Sequence, residues 1–178
     1  MVAQNAGRYV EAEKYDRETL KLMRALPNFP QNERARQLSN LASVINLLER
    51  PDEGMKLLFQ AEHLLNEYPS EDPGQYITLD HNFARSYALL EDWNAAEARY
   101  SNALKKLKAA HAVETGYGAE NDLGMAYVYW KTGRLEQAEG NYERALAYFS
   151  REVGLQHPAV ERMEAELAQV KSEMQKRK

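Results

Sequence analysis

Three small residues recur along this chain at one fixed step, and a repeat of that kind narrows the possible folds more than any composition does. Counting 42 residues on from Ala42 gives Ala84 and then Ala126. The same step carries Gly54 to Ala96 and Ala138, and Ala61 to Ala103 and Ala145. Larger residues keep the register: Leu41, Phe83 and Met125 align, as do Leu58, Tyr100 and Tyr142. Backwards from Gly54 the step lands on Ala12, and forwards it lands on Leu167 and Ala168. The chain therefore reads as a tandem array with incomplete units at both ends.

Inside each unit the apolar spacing is helical. Leu38, Leu41, Ala42, Ile45 and Leu48 follow the i, i+3, i+4, i+7 pattern of an amphipathic helix, and after "ERPDE" a second helix carries Leu57, Leu58, Ala61, Leu64 and Leu65. Pro51, Pro73 and Pro158 suit a first helical turn, where a missing N–H costs nothing. Asn94 with Glu97 reads as a capping box, and Gly133 and Gly154 suit helix ends. These signals predict helices near 8–26, 32–49, 52–67, 74–91, 94–111, 117–131, 135–151 and 158–176, with no strand. The small residues then gain a purpose. Packed helix axes lie roughly 8–10 Å apart, with the distance set by the side chains at the crossing. Repeating the same small contacts repeats the same crossing, which builds a solenoid.

The units "NFARSYALLEDWNAAEARYSNAL" (82–104) and "MAYVYWKTGRLEQAEGNYERAL" (125–146) resemble tetratricopeptide repeats. Each has a small residue followed three later by Tyr87 or Tyr129, then a turn, then an Ala, aromatic, Ala series. Gly133 matches the turn glycine of the family, whereas Glu49 and Glu91 do not. The step is longer than the usual period of about 34 and is similar to that of the kinesin light chain group. The resemblance covers nearly all of residues 7–170. It implies an all-α fold, a right-handed α-solenoid of tandem helix-turn-helix repeats forming a single domain over 1–178. Its parts are a partial repeat at 1–30, repeats at about 31–72, 73–114 and 115–156, and a capping helix at 158–176. Val160, Met163, Leu167, Val170 and Met174 form the one apolar stripe that a capping helix needs. HEAT or armadillo arrays, with units of about 40–47 residues, stay open as the alternative.

Composition bears on function mainly by exclusion. No run approaches the roughly 18 apolar residues that span a bilayer, and the start "MVAQNAGRYV" lacks the parts of a secretory signal. A cytoplasmic location is expected. With no cysteine, disulfides, thiolate metal sites and a cysteine nucleophile are excluded. A formal charge of −4 argues against nucleic acid as the main partner, since that affinity rests on Lys and Arg neutralising phosphates. The basic tail "KSEMQKRK" suits the negative end of a helix.

A solenoid presents an extended surface, so the resemblance implies a non-catalytic adaptor or scaffold binding a peptide or partner protein in a concave groove. The family binds ligand along its first helices. With Leu38, Leu41, Ala42 and Ile45 facing the core, a helical wheel puts Arg36, Ser39, Asn40, Ser43, Asn46 and Leu47 on the far side. One unit later the equivalents are Thr78, His81, Asn82, Arg85, Ala88 and Leu89, and in the third unit Glu120, Leu123, Gly124, Tyr127, Trp130 and Lys131. The candidate binding residues are thus Arg36, Asn40, Asn46, His81, Asn82, Arg85, Tyr127, Trp130 and Lys131. Asn40 and Asn82 recur at the repeat step, in "SNLA" and "HNFA", and the resemblance places that asparagine in the groove; Gly124 departs from it. Arg36, Arg85 and Lys131 suit carboxylates. Tyr127 and Trp130 suit an apolar side chain, although Trp130 also fits packing against the following helix. At about 10 Å between first helices and about 3.3 Å per extended residue, three units would read roughly nine to twelve residues.

The residues of catalysis do not assemble. His63, His81, His111 and His157 include no i, i+4 pair for a helical metal site. No GxSxG, phosphate-cradling loop or nucleotide fingerprint occurs. No enzyme activity, metal or cofactor is expected. The start "MVAQNAGRYVEAE" falls in what resembles the end of a first helix, which suggests a piece of a larger protein. Alternatively, apolar residues such as Tyr9, Val10, Tyr15 and Leu20 are covered by self-association. The runner-up function is accordingly a sensor or oligomerisation segment of a multidomain signalling protein or enzyme.

Overall fold

The computed structural model describes residues 2–177, with side chains from residue 7 onward. These residues form eight helices and, among them, no strand: α1 (Val2–Ala25), α2 (Gln31–Leu47), α3 (Pro51–Glu67), α4 (Pro73–Leu89), α5 (Trp93–Ala109), α6 (Gly116–Lys131), α7 (Leu135–Val153) and α8 (Pro158–Lys176). The prolines at 51, 73 and 158 each open a helix, as their fixed φ predicts. The capping box expected from Asn94 and Glu97 does not form. Helix α5 already begins at Trp93, and both Glu97 carboxylate oxygens accept from the Arg134 guanidinium at 2.8 and 2.6 Å. A charge-assisted, bidentate pair is a stronger claim on that carboxylate than a backbone N–H.

The helices fall into two compact units, Met1–Asp92 and Trp93–Lys178. In the first, α2 and α3 form the most extensive pair, α1 packs on α2, and α4 packs on both α3 and α2. Its core joins Leu38, Leu41, Ile45, Leu58, Leu65 and Phe83. In the second, α6 and α7 pair most extensively, with α5 on α6 and α8 on α7. Tyr142, Leu135, Leu167 and Val170 form one part of its core, and Ala145, Val160 and Met163 another. The stripe expected on α8 is thus buried against α7.

The alanines of the small-residue register at 42, 61, 84, 96, 103, 126, 138 and 145 are fully buried, whereas Ala12 and Ala168, where the step reaches the incomplete units, are not. The turns that follow the first helices also share one conformation. Glu49, Glu91 and Gly133 all adopt positive φ, at 57°, 58° and 76°. In each, the next residue's N–H reaches back five residues: Arg50 to Ile45 at 3.2 Å, Asp92 to Tyr87 at 2.9 Å, Arg134 to Tyr129 at 2.8 Å. This is the Schellman closure, which needs a left-handed residue just past the helix. Glycine is the cheapest residue there. The two glutamates adopt the same backbone at greater cost, so the conformation follows the register even where the sequence signal for it is missing.

Candidate functional site

Helix α2 is flanked by α1, α3 and α4, so only a narrow stripe of it stays open. Arg36, Asn40 and Leu47 are exposed there, and Ser43 is half-buried. On α4, Arg85 and Leu89 are exposed beyond the first turn. Arg85 Nη1 lies 3.5 Å from Ser43 Oγ as a donor, which brings the two stripes side by side. Arg36 is folded back on its own helix, with Nε and Nη2 donating to Glu33 Oε2.

Three of the expected binding residues are placed otherwise. Asn46, His81 and Asn82 are 3, 4 and 5% exposed, as is Ser39 at 4%. Asn82 Nδ2 donates to the Ser39 carbonyl and to Ser39 Oγ, both at 3.0 Å. Ser86 Oγ donates to the Asn82 carbonyl at 3.0 Å and accepts from Asn46 Nδ2 at 2.8 Å. These contacts tie α4 to α2. The helical wheel assumed one buried face, but the first helices α2 and α4 also pack on each other along their flanks. That second contact takes the polar residues at the edge of the wheel.

The recurring asparagine shows the same effect. Asn82 reaches back to the preceding first helix, α2, whereas Asn40 is exposed on α2, which has no such helix before it among the described residues. At Gly124 the place is filled from outside. A Cβ there would lie 2.1 Å from Tyr100 Cζ, because the Tyr100 ring on α5 crosses α6 at that point.

In the second unit the exposed face of α6 is aromatic. Tyr127 is 37% exposed and Lys131 is exposed, while Trp130 is half-buried. The Tyr127 ring meets Trp93 of α5 at 6.1 Å between centroids and Trp130 at 6.3 Å, both edge to face. Lys131 Nζ stands over both rings, 5.3 Å from Tyr127 and 5.1 Å from Trp130. Such contacts hold a cation against the negative faces of the rings. Trp130 Nε1 donates to Glu173 Oε1 of α8 at 3.0 Å, so this tryptophan does pack against a later helix while keeping a face toward Tyr127. Trp93 and Glu173 belong to this cluster and carry no sequence signal beyond residue type. Beneath it, Arg134 stacks 4.4 Å from the Tyr129 ring and its guanidinium holds the Glu97 carboxyl below the usual carboxylate range.

Among the described residues no group of three or more His, Asp or Glu side chains is placed to hold a metal ion. No described helix is long and apolar enough to cross a membrane.

No family model matches the sequence, and no curated protein does. Solved structures do match, 18 chains in all. One is the crystal structure of BtubC (BKLC) from P. vanneervenii, with a TM-score of 0.70 and 20% identity. The match covers 98% of this chain and 67% of that one. Identity this low speaks for fold alone, and the fold agrees with the helices described above. The chain has an all-α, helical-repeat fold of the α-solenoid class.

Proposed function

We propose that this chain is a non-catalytic interaction module, built of 42-residue tetratricopeptide-like repeats similar to those of the kinesin light chain group, that takes a peptide or extended segment of a partner protein. Its binding surfaces are the open stripes of α2 and α4 in one unit and of α6 in the other. One observation carries the reading. Although these helices are packed on several sides, Asn40, Arg85, Tyr127 and Lys131 remain exposed on faces that serve no core. Exposed polar and aromatic groups on a rigid frame are what peptide recognition uses.

The test is a selection from a random twelve-residue peptide display library. The parent chain would be compared with a variant carrying Arg36→Ala, Asn40→Ala, Arg85→Ala, Tyr127→Ala and Lys131→Ala, checked for helix content by circular dichroism. Peptides enriched on the parent and lost on a folded variant support the reading. Equal enrichment on both, or none on the parent, overturns it.

A second reading has one observation in its favour. Tyr15 and Leu22 on α1, and Leu26 just past its end, are 59, 66 and 54% exposed, which suits an oligomerisation segment. A mass in sedimentation equilibrium that rises with concentration, and falls back in Leu22→Glu, would select it.

A further inference from the structure

We propose that Tyr127, Trp130 and Trp93 form a corner for an alkylated ammonium group, such as the head of a trimethyl-lysine, carried by the partner segment; this rests on the peptide-binding reading and names one side chain the segment brings. The Tyr127 and Trp130 rings stand nearly perpendicular, at 85°, and Trp93 meets Tyr127 at 61°. Rings set at right angles make two walls. Lys131 Nζ sits against both, at almost equal distances of 5.3 and 5.1 Å from the two centroids. The corner is thus a place where a cation rests, and the chain fills it with its own lysine.

The frame does not require these rings. Counting back by the repeat step, Tyr127 corresponds to Arg85 and Ser43, and Trp130 to Ala88 and Asn46. Helices α2 and α4 pack without an aromatic residue at either place. Tyr127 stays exposed, and Trp93 and Trp130 are each only half-buried. The Trp130 Nε1 bond to Glu173 Oε1, at 3.0 Å, fixes the indole and lays a carboxylate beside the corner. A fixed negative charge there adds to the attraction for a cation.

Lys131 is a replaceable occupant. It is exposed at the end of α6, and its ammonium rests on ring faces instead of on a carboxylate. A primary ammonium carries three N–H donors and is strongly hydrated, and a ring face has no lone pair to accept those donors. Such a contact at an exposed site is weak. An alkylated nitrogen has the same charge, fewer or no donors to satisfy, and an apolar shell that gains from leaving water. It therefore displaces the lysine, whose ammonium returns to solvent. A guanidinium suits the corner less well, because a planar group stacks on one ring at a time, whereas a tetrahedral head touches both walls. The corner lies on the open stripe of α6, so the segment and its head group share one surface.

The experiment follows intrinsic fluorescence, because Trp93 and Trp130 are the two tryptophans of the chain. The probe is acetyl-Gly-Ala-Gly-(trimethyl-lysine)-Gly-Ala-Gly-amide at millimolar concentration in about 0.15 M salt, where charges further than about 8 Å apart are screened. A saturable change is expected. The same peptide with unmodified lysine, with arginine, or with carbon in place of the quaternary nitrogen is expected to bind at least about fivefold more weakly. Lys131→Ala is expected to tighten the trimethyl-lysine peptide by about twofold to fivefold, because the resident cation is gone. Lys105→Ala, an equal loss of charge at an exposed place about 18 Å along α5 from Trp93, is expected to leave it unchanged. Tyr127→Leu, with helix content checked by circular dichroism, is expected to weaken it by about tenfold. Equal binding of the quaternary peptide and its carbon analogue, tighter binding of the arginine peptide, or equal effects of the two lysine variants overturns the assignment. Tetramethylammonium chloride is expected to bind at least about threefold more weakly than the peptide; equal or tighter binding gives the corner to a free small cation and overturns the peptide assignment. A display library carries no methylated side chains, so the two tests fail separately. Failure here with library peptides enriched on the parent removes only this inference. An empty library selection with a positive titration removes the wider reading and leaves the ammonium site.

Discussion

Replacing Gly54 by alanine separates the packing argument from ordinary helix propensity, because the two give opposite signs. Gly54 lies inside α3, where alanine normally gains about 1 kcal/mol over glycine. Here the added Cβ would stand 2.5 Å from Asn46 Oδ1 and 3.3 Å from Asn46 Cγ. Asn46 is not free to swing aside, since its Nδ2 donates to Ser86 Oγ at 2.8 Å, and Ser86 Oγ donates on to the Asn82 carbonyl. Moving it gives up a buried hydrogen bond, worth about 1 kcal/mol, and overpacking adds about 1–3 kcal/mol. After the propensity gain is subtracted, Gly54→Ala should destabilise the chain by about 1–3 kcal/mol. In an Asn46→Ala background the obstacle is gone, and the same change should stabilise by about 0.5–1 kcal/mol. Urea unfolding of the four chains, followed by far-ultraviolet circular dichroism, measures the coupling, expected at about 1.5–4 kcal/mol. A higher midpoint for Gly54→Ala in the parent background would refute the reasoning, because it would mean that Asn46 yields without cost.

Two further outcomes follow from the turns. Glu49→Gly and Glu91→Gly should each raise the unfolding midpoint, by about 1 kcal/mol in stability, since both residues hold left-handed backbone at φ 57° and 58°; Gly133→Ala should lower it by a similar amount. Glu97 is held below the usual carboxylate range by its hydrogen bonds to Arg134, so its contribution is present above the ordinary glutamate range and fades as pH falls through the lowered value. The pair is about one-third exposed, so parent and Glu97→Gln should differ by less than about 1 kcal/mol at pH 6, with the gap closing in thermal melts below about pH 4.

Much of the helical framework is readable because the punctuation is local. Pro51, Pro73 and Pro158 act through their own rings, and Gly133 through its own φ, so neither depends on a distant neighbour. Burial along the register is readable for a related reason: an alanine repeated at one step marks a close crossing wherever it falls. The candidate surface is readable only in part. Arg36, Asn40, Arg85, Tyr127 and Lys131 keep exposed positions, but Asn46, His81 and Asn82 are buried. A wheel drawn for one helix contains no term for the helix that packs beside it one repeat away. Glu49 and Glu91 illustrate the complementary limit. Nothing in a glutamate announces left-handed backbone, and only the register shared with Gly133 shows that the turn is the same.

The pairing of Gly124 with the Tyr100 ring bears on how such an array can change. The units share a scaffold, but the fittings between helices are individual: Gly54 is cut to Asn46, Gly124 to Tyr100, and Asn82 to Ser39. A unit copied into its neighbour's place would keep every helix and still collide, setting an asparagine against the tyrosine ring or a methyl group against an amide. The repeats are therefore not interchangeable parts. Lengthening or shuffling this chain requires each seam to be recut on both sides at once.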